Sequence, residues 1–167
     1  MPITYEPIAT TTLGSAAASV TFSTISGAYT DLVLVASLKN TANTRACELT
    51  FNGDISGTTY SVTRLYGNGS TATSDRFSSQ SFIDSGFFGT PDFQMTIIQI
   101  QNYSNSTTNK TVLARWNSEG SSSGNRYVAA VVGLWRDTNA ITSLRLKPTT
   151  DNWATGSTFT LYGIKAA

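Results

Sequence analysis

Short strand-like runs fill this chain, and no window shows the sustained apolar spacing of an amphipathic helix. Asn52-Gly53 ends one run with residues that tolerate positive φ, which is typical of a tight hairpin turn. The stronger runs predict strands at Asp31–Lys39, Arg45–Phe51, Tyr60–Tyr66, Phe93–Tyr103, Lys110–Asn117, Arg126–Trp135, Ile141–Lys147 and Ser157–Ile164. Weaker runs at Tyr5–Thr12, Ser19–Ile25 and Phe77–Ile83 bring the total to about nine to eleven strands.

The spacing of these runs indicates the fold class. Strands that begin about 10 to 20 residues apart, with no helix between them, predict an all-β protein and exclude βαβ units. We expect an antiparallel two-sheet sandwich that is jelly-roll-like. An immunoglobulin-like sandwich is the alternative, although the Cys…Trp…Cys spacing of that fold is missing. Residues 14–167 then form one domain, and residues 1–13, with Pro2 and Pro7, form an extended N-terminal arm.

Two parts of the pattern make more specific predictions. The run Arg126–Trp135 (RYVAAVVGLW) is almost wholly apolar, so we expect it to lie deep in the fold. Three turn-rich stretches are expected to be loops: Gly53–Thr59, Gly67–Ser74 and Asp84–Pro91.

The composition excludes most chemistry that a sequence can reveal. The chain has no histidine, which excludes a Ser-His-Asp triad and a His-ligated zinc site. Its single cysteine, Cys47, excludes an internal disulfide framework, and we expect it to be a small buried core residue. A net charge of +1 removes the basic footprint of a nucleic-acid-binding protein. We therefore expect a structural or binding protein without a cofactor, and not an enzyme.

The acidic residues offer only weak candidate sites. Glu48 and Glu119 lie on or beside predicted strands, where two facing carboxylates about 5 to 9 Å apart would suit a glycosidase. Asn52 and Asp54 could supply oxygen ligands to calcium, but the spacing of an EF-hand loop is absent. Acidic residues in turns and on solvated faces explain the whole set, so no catalytic residue and no metal ligand is assigned.

Aromatic residues are the better candidates for contact with other molecules. Phe87 and Phe88 lie in a Gly-flanked loop, where two adjacent rings do not both point into one sheet face, so we expect a contact with another subunit. Trp116 and Trp153 are the candidates for stacking on a sugar ring if the protein binds a glycan. Core packing of each tryptophan is the ordinary alternative.

An ordered series of phrases runs through nearly the whole chain: MPITYEPIAT, VTFSTISGAYTDLVLV, LTFNGD, YSVTRLYGNGS, IQNYSNSTTNKTVLARW, YVAAVVGLWRDTNAITSLRLKP and GSTFTLYGIKA. This series resembles a group of small tailed-bacteriophage virion proteins, and similar modules occur as terminal domains of phage tail fibres. The resemblance implies a jelly-roll-like domain displayed on a virion, often as a symmetric oligomer. It supplies no catalytic residue.

The resemblance leads to two expected functions. The first is a capsid decoration, or cement, protein that docks on the major capsid protein or another virion protein and stabilises the shell. The alternative is a tail or head fibre module that recognises a host-surface glycan. In either case we expect self-association, with a homotrimer as the favoured form, and a location on the virion after synthesis in the host cytoplasm. The longest apolar stretch, Val128–Trp135, is too short to cross a bilayer, so no membrane partner is expected.

The N-terminal arm is the expected docking element. Pro2, Ile3, Tyr5 and Pro7 belong to an extended, non-helical segment, and such a segment can bind a neighbouring sheet by strand addition. Together with Phe87 and Phe88 they form the predicted interface set.

Overall fold

The computed structural model describes residues 4–42, 46–86, 93–119 and 126–165, and every regular element in these ranges is a β-strand. No helix in the described residues is long and apolar enough to cross a membrane. The described strands are β1 (Tyr5–Thr12), β2 (Val20–Phe22), β3 (Asp31–Leu38), β4 (Cys47–Phe51), β5 (Tyr60–Gly67), β6 (Ala72–Gln80), β7 (Ile83–Asp84), β8 (Gln94–Gln101), β9 (Lys110–Glu119), β10 (Arg126–Trp135), β11 (Leu144–Pro148) and β12 (Thr158–Ile164).

The strands form two antiparallel sheets of unequal size. The large sheet has eight strands in the order β1-β12-β3-β8-β9-β10-β5-β6, and the small sheet has four in the order β2-β11-β4-β7. Chain neighbours such as β9 and β10 pair directly, whereas β12 joins β1 to β3 from the far end of the sequence. The predicted all-β, antiparallel, two-sheet and jelly-roll-like sandwich is thus confirmed.

Period-two alternation of side chains places the core between the sheets. In β9, Val112, Ala114 and Trp116 are buried while Thr111 and Leu113 are exposed, as expected of a strand with one face on the core. The opposite layer comes from apolar residues of the small sheet, including Phe22, Leu49, Phe51, Leu144 and Leu146. Cys47 is buried in this layer, and burial raises the pKa of its thiol.

Two contacts fix the sheets against each other. Gly133 of β10 has no side chain, and Ile83 of β7 occupies the space so closely that a Cβ on Gly133 would lie 2.7 Å from two Ile83 carbons. Arg64 of β5 donates from Nε and Nη2 to Asp75 of β6 at 2.8 and 2.7 Å, and from Nη1 to Asp84 of β7. Both contacts join the large sheet to strand β7 of the small sheet.

The N-terminal segment is extended but is part of the large sheet over its described residues. Strand β1 pairs with β12 from Tyr5 opposite Ile164 to Thr12 opposite Thr158, with a register shift between Pro7 and Ala9. Ile8 and Leu13 pack against the core from this edge. The part of the predicted arm that the structure describes is therefore an edge strand with one free side.

Two of the predicted loops contribute strand residues. Ala72–Ser74, which fall in the stretch Gly67–Ser74, begin strand β6, and Asp84 ends strand β7. Strand β6 is an edge strand that is exposed along most of its length, so it carries no alternating apolar signal. The remainder of Asp84–Pro91 from Phe87 onward lies outside the described residues.

Candidate interaction surface

The face of the large sheet that points away from the small sheet is the candidate site, and we call it the outer face. It consists of the side chains that alternate with the buried ones in each strand. The register places Val132 of β10 between Thr63 of β5 and Leu113 of β9 on this face. On the next row, Ala130 lies between Leu65 and Arg115.

Large apolar side chains of the outer face are open to solvent. Val128 is 67% exposed, Leu65 58%, Val132 55%, Met95 50% and Leu113 41%, and these residues come from four strands of the same sheet. Scattered exposed apolar side chains are normal on any protein, but a contiguous patch of them marks an interaction site. The middle of the outer face is such a patch.

Strand β10 shows the mismatch between sequence and environment most clearly. Its nearly continuous apolar sequence is typical of a strand covered on both faces. In the structure Ala129, Val131 and Trp135 are buried, but Val128 and Val132 are exposed. The expectation that the whole run lies deep in the fold is therefore wrong for its outward half, because only the inner face has a second sheet packed on it.

The described charges on five neighbouring strands of the outer face are all basic. Arg115 of β9, Arg76 of β6 and Arg126 of β10 are exposed on the outward side. In β5, β6, β8, β9 and β10, no outward side chain that the structure describes is a carboxylate. The remaining outward residues are mostly aliphatic, hydroxyl or amide side chains such as Gln99 and Asn117. The patch is apolar at its centre and weakly basic.

The outer face is large enough for a stable protein contact. Seven strand spacings of about 4.8 Å make the sheet about 34 Å wide, and strands of about eight residues make it about 25 Å long. One side of a standard protein–protein interface buries about 800 Å². A flat partner that covers most of the eight strands reaches this size.

The two predicted glycan-stacking residues are not available for stacking. Trp153 is 0% exposed, packs edge-on against Phe159 with ring centroids 5.9 Å apart, and donates from Nε1 to the carbonyl oxygen of Leu146 at 3.3 Å. Trp116 is 5% exposed and faces the core from β9. Both are core residues, which was the alternative interpretation: alternation turns Trp116 inward from β9, and isolated bridges to Ala17 and Asn40 hold Trp153 in the core.

The predicted interface residues lie partly on the described structure. Tyr5 is 53% exposed on edge strand β1 and makes an edge-on contact with Tyr162, with ring centroids 6.5 Å apart. Pro7 is also exposed on β1, opposite Tyr162. Pro2, Ile3, Phe87 and Phe88 lie outside the described residues. The sequence analysis did not identify the exposed residues at the centre of the outer face. Their signal was the apolar run of β10, which is more continuous than a strand with one buried face requires.

Two of the acidic residues that the sequence singled out, Glu48 and Asp54, have structural partners. Glu48 forms an ion pair with Lys147 at 3.5 Å, and Glu119 lies at the end of β9, where its side chain is not described. The described residues contain no group of three or more metal-ligating side chains. Asp54 accepts hydrogen bonds from Thr59 Oγ1 at 2.6 Å, Trp135 Nε1 at 2.7 Å and the backbone N–H of Ser56 at 3.0 Å.

We expect Asp54→Ala to lower the free energy of unfolding by about 2 kcal/mol, because it leaves the N–H of Trp135 unpaired in a buried position. Burial raises the pKa of Asp54, but its hydrogen bonds from Thr59, Trp135 and Ser56 outweigh burial and hold the pKa at about 2. Urea denaturation at pH 7 measures the loss. Asp137→Ala, which removes an exposed contact to the N–H of Asn139, is the control; an equal loss in both variants would contradict the assignment.

A cavity of about 170 Å³ lies beside Arg64 and Asp84, with Val62, Phe77 and Phe82 in its wall. The guanidinium of Arg64 is 4.9 Å from the ring centroid of Phe77, and its hydrogen-bond donors already bind Asp75 and Asp84. This cluster joins the sheets, and three hydrogen bonds from Arg64 are used in doing so.

Comparisons with known proteins do not assign this chain to a family. No protein-family model and no curated protein matches the sequence. The exo-inulinase of Aspergillus awamori is similar over 96% of this chain at 13% identity and a TM-score of 0.42, and this chain spans only 29% of that protein. The galectin LEC-6 of Caenorhabditis elegans is similar over 91% of this chain and 94% of its own, at 7% identity and a TM-score of 0.36. Alginate lyase Aly36B is similar over 93% of this chain and 80% of its own, at 8% identity and a TM-score of 0.36. Such values say nothing about activity or ligand.

Proposed function

We propose that this chain is a non-enzymatic virion structural protein, a capsid decoration protein that docks on the outside of the shell and stabilises it. The observation that carries the proposal is the uncovered half of β10, whose apolar sequence suits two-sided burial while Val128 and Val132 face solvent. A second protein surface on the outer face supplies the missing cover. The series of phrases that resembles small phage virion proteins supports the same role.

The surface chemistry also supports repeated docking. The chain carries 11 basic and 10 acidic residues among 167, so many copies can pack on a lattice without strong mutual repulsion. Hydroxyl and amide side chains around the apolar centre avoid much of the cost of burying ions in an interface. A homotrimer bound to the major capsid protein remains our expected assembly.

The fibre module that binds a host glycan is the weaker reading. Sugar rings stack on aromatic faces, whereas Trp116 and Trp153 are buried. The exposed large apolar residues at the centre of the outer face are aliphatic or methionine side chains, with no aromatic ring among them. This chemistry favours a protein partner.

We expect Val132→Asp to weaken binding to the shell at least about tenfold, because it places a carboxylate in the apolar centre of the contact. The measurement is rebinding of purified protein to particles of the encoding phage from which the protein has been removed. Ile55→Asp is the matched control, since Ile55 is a β-branched aliphatic residue that is 64% exposed in a loop outside the outer face.

Cryo-electron microscopy of intact particles tests the location. Density for this chain repeated over the shell supports decoration. Density confined to the tail or to one vertex would replace decoration by the fibre role, and particles that lack the chain would refute the virion proposal. Equal rebinding of the Val132→Asp and Ile55→Asp variants to the shell would move the docking surface off the outer face.

A further inference from the structure

Arg115 stands at the centre of the outer face without a described partner. It lies opposite Ile97 of β8 on one side and Ala130 of β10 on the other, with Leu113 and Asn117 two residues away along β9. No described side chain forms an ion pair or a hydrogen bond with its guanidinium. The small side chain of Ala130 leaves the guanidinium accessible from one side.

A second copy of this chain is a poor occupant of the outer face. Face-to-face packing of two copies brings Arg115 and Arg76 against a centre where the described outward residues of β5, β6, β8, β9 and β10 offer no carboxylate. Asp31, on the outward side of β3, already accepts a hydrogen bond from the backbone N–H of Asn102 at 2.8 Å. Unpaired like charges in a desolvated contact cost several kcal/mol. The charge of the face therefore favours a different protein.

Other occupants fit the face less well than an acidic protein. Recruitment to an anionic membrane typically uses clusters of four to eight basic residues. Here three outward arginines, Arg76, Arg115 and Arg126, lie on three different strands, with apolar and hydroxyl side chains between them. An arginine in a ring of apolar contacts is instead a common energetic centre of protein interfaces. Its planar guanidinium binds a carboxylate with two parallel hydrogen bonds.

We propose that the outer face binds an apolar surface of a different protein that presents an Asp or Glu carboxylate to Arg115. This inference rests on the proposed docking function and names the chemistry of the partner. The apolar neighbours Ile97, Leu113 and Ala130 exclude water from the ion pair, and the pair sets the position of this chain on its partner. Arg76 lies near the edge of the contact and attracts the same acidic surface at longer range.

The experiment uses particles of the encoding phage stripped of this protein, with purified protein added back at low and high salt. Arg115→Glu is expected to lower the affinity at least about tenfold at low salt. The control is Arg145→Glu on β11, which makes the same charge change on the outward side of the small sheet and is expected to change affinity less than about twofold. Ala130→Trp, which places a bulky side chain beside Arg115, is a second blocking variant. Thermal unfolding checks that each variant is folded.

A photo-crosslinker at Leu113 identifies the occupant. Cross-links to an acidic segment of a shell protein, with loss of binding by Arg115→Glu, support the inference. Shell binding that depends on Val132 but not on Arg115 would overturn the inference and leave the docking function standing. Cross-links between copies of this chain, with a dimer in sedimentation that Arg115→Glu abolishes, would also overturn it. Particles that never carried the protein would refute the docking function itself.

Discussion

Replacing Gly133 with valine is expected to lower the free energy of unfolding by about 3 kcal/mol, among the larger effects for one substitution in this chain. The reason is the contact between the sheets, where Ile83 Cδ1 and Cγ2 would lie 2.7 Å from the new Cβ and Ile83 Cγ1 2.9 Å from it. Ile83 is fully buried on short strand β7, so it has no free volume to enter. Urea denaturation monitored by tryptophan fluorescence measures the loss.

A volume exchange makes this prediction specific. Ile83→Ala removes three side-chain carbons, the same number that Gly133→Val adds on the other side of the sheet contact. Alone, Ile83→Ala is expected to lower the free energy of unfolding by about 3 kcal/mol through the cavity it leaves. The double variant is expected to recover at least about 1.5 kcal/mol relative to the sum of the two single losses. Gly14→Val, at a glycine with no atom within 4 Å of an added Cβ, is the control. A strictly additive double variant would show that the Gly133–Ile83 contact does not position the sheets.

The central strands were predictable because their physical signal is local. Strands β8, β9 and β12 alternate buried residues with more accessible ones over seven or more positions, and the predicted runs overlap each of them. Edge strand β6 was largely missed because it contacts the sheet on one side only and needs no apolar face. In β6, Phe77 near the end of the strand was the one large apolar residue that indicated a strand.

The candidate site was predictable only in part, because a local sequence pattern does not tell which face of a strand the second sheet covers. The run in β10 indicated burial correctly for Val131 and Trp135, but the small sheet packs on the inner face of the large sheet and leaves the outer face open. The same limit explains Trp153, whose burial follows from isolated bridges to Ala17 and Asn40 that bring distant segments together. A local sequence pattern does not show which distant segments of the chain pair with one another.

The charged groups that join the sheets at Asp84 are expected to make the stability of the fold depend on pH. Its side chain is 14% exposed, and its carboxylate receives Nη1 of Arg64, while Asp75 shares the same guanidinium. Asp84 is also paired in register with Glu48, which binds Lys147, and Cys47 lies next to Glu48 on β4. One guanidinium thus pairs with two carboxylates in a poorly solvated part of the protein.

Burial raises the pKa of Asp84 from the usual 3.8 to about 6, and Arg64 only partly offsets this effect. A carboxyl group with a raised pKa in the folded state stabilises the fold while it is protonated. That contribution is complete below about pH 4 and is lost as the pH rises through about 6. The corresponding change in the free energy of unfolding is about 3 kcal/mol.

The comparison that isolates this effect is wild type against Asp84→Asn, with the free energy of unfolding measured from pH 4 to pH 8. As the pH rises, we expect the free energy of unfolding of wild type to fall by about 3 kcal/mol relative to that of Asp84→Asn, because asparagine cannot ionise in the buried position. In the variant Arg64 keeps its two hydrogen bonds to Asp75. Asp151→Asn makes the same change at an exposed carboxylate and controls for general charge effects. A pH-independent difference between wild type and Asp84→Asn would mean that Arg64 fully compensates the buried charge. The charges of Arg64, Asp75 and Asp84 would then stabilise one another fully at the contact between the sheets. In that case ionisation of Asp84 would not lower the stability of the protein as the pH rises.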